Sequence, residues 1–301
     1  MKRTMWRGRL RRAAPWLGLA PALLLVALLF GTSVFYGVTQ SLGYLPLIGQ
    51  EQLSLSAYHN VLVGPSVAAR EFWAALGFSL WVSGGAALLA AVGALLVVML
   101  LPRRGNGGAG GAGGAILHLN LAFPHLVWAV GLLLLLSQSG LLARVAAWVG
   151  WIDGPADFPV LVRDRYGIGI ILTYVSKGIP FLALIVLAVL RSQPEGYALV
   201  AENLGATRWQ RLRYVTLPLV LPGLLAGALL VFALSFGAYE VPKLLGVRYP
   251  RMLAVLALEF FINADLHRRA EGMAISVLMA LVVLAVAVVA RSLGFKPATG
   301  K

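Results

Sequence analysis

Apolar residues fall along this chain in long blocks. The stretches 16–38, 72–102, 116–136, 166–190, 214–239 and 272–290 carry almost no charge. A helix needs about 20 apolar residues to cross hydrocarbon, so each block is long enough to span a membrane. Only Lys177 interrupts the fourth, and the fifth helix is expected to start near Pro218. One further apolar run, 252–258, is bounded by Arg251 and Glu259 and is too short to cross; it reads as an interfacial or re-entrant helix. The pattern predicts an all-α polytopic membrane fold with six transmembrane helices. A basic tail at 1–15 precedes the six-helix body at 16–290, and a second tail at 291–301 follows it. The first block has the basic flank of a signal peptide, but its apolar run is long and 31–37 offers no clean small-x-small cleavage site, so an uncleaved helix is favoured.

Composition agrees. Of the 301 residues 60% are hydrophobic and 12% charged, and mean hydropathy is +0.86. A soluble domain uses about 25% charged residues to cover its surface. Half that density excludes a soluble enzyme or DNA-binding protein, and the apolar content excludes disorder.

Placement of the charges sets the expected orientation. With the N-terminus inside, the inner segments hold 15 basic residues against Glu195 and Glu202, while the outer side holds 10 basic and nine acidic residues. Basic residues stay cytoplasmic, so both termini are expected there. The net charge of +14 then reflects topology and not a nucleic-acid partner. There is no cysteine, which excludes disulfides and thiolate ligands. His118 and His125 lie about two helical turns, roughly 10 Å, apart on one face, a spacing suited to packing or pore lining; no metal site is expected.

The loops are read from their punctuation. The Gly-rich run 105–114 is a flexible linker, because no Lys-Ser/Thr follows to make a phosphate cradle. The outer segments 39–71 and 137–165 contain short amphipathic pieces, with Trp148 and Trp151 expected at headgroup depth. Within the fourth span, Ser176-Lys177-Gly178-Ile179-Pro180 predicts a kink and a free Ser176 carbonyl. Lys177 in hydrocarbon costs about 3 kcal/mol, so it must snorkel, pair structurally or face a wet pathway.

The polar segment 193–217 is the most informative. Pro194 and Glu195 can open a helix, which Gly205 ends as a left-handed cap. Thr207 can cap a second short helix carrying Arg208, Arg211 and Arg213, and Leu217-Pro218 begins the next span. A helix–Gly–helix hairpin on the cytoplasmic face has the form of a docking element.

These residues resemble the inner-membrane permease subunits of binding-protein-dependent ABC importers, whose cytoplasmic loop carries E-A-A-x3-G-x9-I-x-L-P. Gly205 is followed after nine residues by Val215-Thr216-Leu217-Pro218, with Val for Ile. The E-A-A positions hold Leu199-Val200-Ala201, and Glu202 stands three residues past the usual glutamate. The SKGIPF segment and the SFGAYEVPKLLG stretch at 235–246 look most like the spermidine/putrescine-type branch. The resemblance implies that Leu199, Val200, Ala201, Glu202, Gly205, Ala206, Arg208, Leu217 and Pro218 couple the chain to a cytoplasmic ABC ATPase dimer. That ATPase would bind ATP and Mg, and this chain would bind no cofactor. It further implies a second permease subunit (a heterodimer favoured), an extracytoplasmic solute-binding protein, a lipid setting in a bacterial inner membrane, and a small, polyamine-like solute.

A secondary transporter, or another polytopic membrane protein, is the alternative. No Asp or Glu lies well inside a span to couple ions. No nucleophile–base pair or metal set suggests an enzyme, and no G-x4-G-K-[ST] occurs, so ATP hydrolysis must come from another subunit. By polarity and depth, Asn120, His125, Trp128, Lys177, Tyr239 and Glu240 are candidates to line the path. Glu240 suits a cationic solute or, equally, an ion pair with Lys243. Gly223 and Gly227 allow close helix approach, within the chain by default or across a permease interface.

Overall fold

The computed structural model describes residues 2–65, 67–100, 112–192, 200–201 and 203–294. Twelve helices are described: α1 Lys2–Ser41, α2 Ser56–Leu62, α3 Val67–Leu100, α4 Ala112–Ala122, α5 His125–Leu136, α6 Leu141–Trp148, α7 Ile168–Arg191, α8 Arg208–Arg211, α9 Leu217–Gly237, α10 Glu240–Leu245, α11 Leu253–Phe261 and α12 Arg268–Gly294. Six stretches are long and apolar enough to cross a membrane: Gly18–Ser41, Val67–Met99, His125–Trp148, Ile168–Arg191, Trp209–Gly237 and Arg268–Ser292. Connections alternate between two ends of the bundle. One end carries the start of α1, the ends of α7 and α12 and the start of α8; the other carries the segments before α3, before α7 and between α9 and α12.

The centre is built from α3, α7 and α9, which approach closely because small residues face one another. A Cβ on Gly178 would stand 2.7 Å from that of Ala90, and one on Gly227 would stand 2.6 Å from Leu182. Gly223 and Gly227 therefore pack α9 against Leu182, Ile185 and Val189 of α7, within the chain. Around this contact Ala90, Ala94, Leu182, Val186, Val220 and Leu224 are buried. By contrast α1 leans on α12 and leaves Leu24, Phe30 and Phe35 exposed, the surface expected of a helix solvated by lipid tails.

Several expectations need correction. Helix α7 is continuous through Pro180, so 176–180 is no break; Gly178 serves the contact with α3. The block 116–136 is not one helix. It breaks at Phe123-Pro124, because Pro124 has no N–H for the Asn120 carbonyl and its ring disfavours a helical residue before it. Residues 112–114, read as linker, already belong to α4, while 105–111 lie outside the described residues. The short run near 252–258 forms α11, whose Leu253, Ala254, Val255, Leu256 and Ala257 are all buried. Burial on this scale places α11 against α3, α9 and α12, with Glu259 on its polar side. Trp148 and Trp151 are exposed, as headgroup contacts would be.

Candidate functional site

Two constructions stand out, one at each level of the bundle. The first is the hairpin after α7. Val200 and Ala201 are helical, and Gly205 has φ +73°. The Ala206 N–H reaches the Ala201 carbonyl at 3.0 Å, a six-to-one closure that satisfies a carbonyl left over at the helix end. Two residues on, the next helix is capped reciprocally. Gln210 N–H donates to Thr207 Oγ1 (3.3 Å), and Thr207 N–H donates to Gln210 Oε1 (2.8 Å). Gln210 was not legible as a cap partner, although T-x-x-Q is the signal that finds it.

The second helix does not stop before the fifth span, as expected. It passes through a π turn, Leu212–Thr216, and continues as α9. Pro218 offers no N–H to Tyr214, and just before it the Leu217 N–H reaches back five residues to Leu212. The hairpin thus continues without a joint into a transmembrane helix that packs on α7 and α3. It exposes large apolar side chains beside its polar ones: Val200, Leu204, Trp209 and Tyr214 are 56%, 81%, 65% and 70% exposed. Of the residues singled out for coupling, Leu199 and Glu202 lie outside the described residues. Arg208 opens α8, and Gly205, Ala206, Leu217 and Pro218 sit at the turn and the π-turn exit.

The second construction is a polar cluster where α4 breaks. Lys177 on α7 is 3% exposed and does not snorkel. Its Nζ donates to the Asn120 carbonyl at 2.6 Å and to the Phe123 carbonyl. The first of these is the acceptor that Pro124 leaves empty, so a lysine from the neighbouring helix supplies the donor that the backbone lacks. The ammonium also lies 5.9 Å from the centre of the Trp128 ring, and Trp128 Nε1 donates to Ser176 Oγ at 2.7 Å. Asn120, Trp128 and Lys177 are therefore brought together, with Ser176 added. His125 opens α5 at the same break, and Glu240 opens α10, which packs against α5 and α7. Tyr239 packs against the cluster that holds Tyr174, Val241 and Leu245. Tyr174, buried with its hydroxyl unpaired, was not anticipated.

The alternative pairing expected for Glu240 is not formed. Lys243 instead donates to Glu259 at 2.8 Å, and Glu259 also takes Arg251, which in turn approaches Glu71 at 3.4 Å. One carboxylate on α11 draws in two cations, which a neighbour on α10 cannot match. The Glu259 hydrogen bond raises the Lys243 pKa. Burial opposes the Glu259 charge, but Lys243 and Arg251 outweigh it and hold that carboxyl below its usual range.

Comparison with known proteins agrees with this architecture. A solved bacterial ABC transporter involved in the import of the acidic polysaccharide alginate superposes with a TM-score of 0.75 at 16% identity, covering 97% of this chain and 100% of that one. The inner membrane ABC transporter permease protein YnjC of Escherichia coli (strain K12) is 33% identical over 168 residues, 55% of this chain and 30% of that relative. The spermidine/putrescine transport system permease protein PotB of the same organism is 29% identical over 121 residues, 40% of this chain and 42% of PotB. The matched stretch thus spans less than half the length of either curated relative. Residues 90–294 match the family described as binding-protein-dependent transport system inner membrane component. With two thirds of its length so matched, this chain belongs to that family of inner-membrane transport components.

Proposed function

We propose that the chain is the permease subunit of an ABC importer, forming part of the path for a small polar solute and receiving the drive of a separate cytoplasmic ATPase through the 200–216 hairpin. The observation that supports this most is the doubly capped turn at Gly205, continuous with α9 and with large apolar side chains exposed around it. A solute-binding protein on the other side, a second permease and inward-facing termini complete the assembly we infer.

The polyamine-like reading of the solute rests on Glu240, exposed at the start of α10, the helix that packs against α5 and α7 where His125 and Tyr174 lie. Uptake of putrescine into proteoliposomes holding the chain with its ATPase, partner permease and binding protein tests both levels. ATP-dependent uptake is expected, and Glu240→Gln should lower it about tenfold, the order of one lost charge-assisted contact, with assembly unchanged. Uptake driven by a proton gradient without the ATPase would favour a secondary transporter. ATP-driven uptake untouched by Glu240→Gln would remove that carboxylate from the path.

A further inference from the structure

At the end of the bundle opposite the termini, a cavity of 580 Å³ lies between the loop before α7 and the α10–α11 segment. Its lining includes Arg163, Lys243, Arg248, Arg251 and Glu259. Four cations against one carboxylate leave a formal surplus of three positive charges, or two when Glu71 beside Arg251 is included. The five are not equivalent. Arg251 and Lys243 are held by Glu259, whereas Arg163 and Arg248 are exposed and find no carboxylate among the described residues. Arg163 is also the only non-glycine residue with positive φ among those described (+58°), and its N–H is tied to the Leu245 carbonyl at 2.8 Å. A bulky residue in that conformation is strained. The Arg163 backbone, which lines the cavity, is thus held in a form that a relaxed loop would avoid.

We propose that this cavity is an oxyanion site, taking the phosphonate, phosphate or carboxylate group of a small solute between Arg163 and Arg248, with Lys243 and Arg251 as the positive floor. The inference rests on the permease reading but not on the polyamine-like solute, which it replaces with one that carries an oxyanion. Like charges in a cleft focus the field and concentrate counter-ions, and guanidinium groups bind oxyanions through paired N–H donors. The volume is within the range of small-molecule sites, about 300–1,000 Å³. A polycation would be repelled here. Glu240, at the other end of the six-residue helix α10, is compatible with this site only for a solute that carries both an ammonium and an oxyanion.

The test uses the full chain in phosphatidylcholine nanodiscs, with methylphosphonate as probe, followed by ³¹P NMR. Saturable binding, weakened by salt and not displaced by putrescine, is expected. Arg163→Gln/Arg248→Gln removes two unpaired cations and no ion pair, and should raise Kd by at least about tenfold, the value of a single charge-assisted hydrogen bond or more. Absence of saturable binding, or an unchanged Kd in the double variant, would overturn the site. So would loss of binding in phosphatidylglycerol nanodiscs, because a lipid headgroup would then be the occupant. Co-purification with the ATPase, measured on the same samples, separates the two failures. If it persists while the probe does not bind, the oxyanion site falls and the permease reading stands; if it is lost in the wild type, the reading beneath the site falls as well.

Discussion

Gly205→Val should insert and assemble normally yet abolish coupled uptake, to below about a tenth of the wild-type rate. The turn holds Gly205 at φ +73°, and a Cβ there would meet nothing within 4 Å. The cost is therefore confined to the backbone, about 1–2 kcal/mol for an ordinary residue and more for a β-branched one. Relieving it means abandoning φ > 0, which opens the Ala206–Ala201 closure and turns the capped helix at Thr207 away from the one before it. The bundle is untouched, since the hairpin lies outside the cores around α3 and α7. Gly205→Asn, whose side chain tolerates the left-handed region, should restore most of the uptake. Transport by Gly205→Val at the wild-type rate would mean that the hairpin is not the coupling element.

The second large effect is expected at Lys177. Lys177→Met preserves the shape of the side chain but leaves the Asn120 and Phe123 carbonyls without their donor; both bonds are part-buried, so the loss is about 1 kcal/mol for each. The α4–α5 break should loosen, the thermal midpoint in detergent should fall, and uptake should drop by at least about tenfold. A double-mutant cycle isolates the cause. Pro124→Ala returns an N–H four residues after Asn120, so Lys177→Met should cost less in that background, with a coupling of about 1 kcal/mol or more. Additive losses would show that the lysine does not serve the proline break.

Much of this was legible in the chain. The six blocks, the Gly205 cap and the Thr207 cap follow from hydrophobic run length and local hydrogen-bond chemistry, and both are properties of contiguous residues. Three of the misassigned features depend on a partner distant in sequence. Pro180 looked like a helix break but is carried within α7, where Gly178 next to it packs on Ala90; Pro124 looked unremarkable but breaks its helix because Lys177, 53 residues on, compensates the loss. The Lys243 partner was sought three residues away and is found on another helix, at Glu259. Asn120, Trp128 and Lys177 were chosen by polarity and depth alone, and the break in α4 is what joins them.

The central claim is that the Gly205 hairpin meets an ATPase. The chain has no cysteine, so Ala206→Cys would be its single thiol. In the assembled complex, a short bifunctional maleimide at that thiol should cross-link this chain to the ATPase subunit. A membrane-impermeant maleimide added outside intact cells should leave it unlabelled. Labelling from outside, or a cross-link to the solute-binding protein in place of the ATPase, would contradict the account.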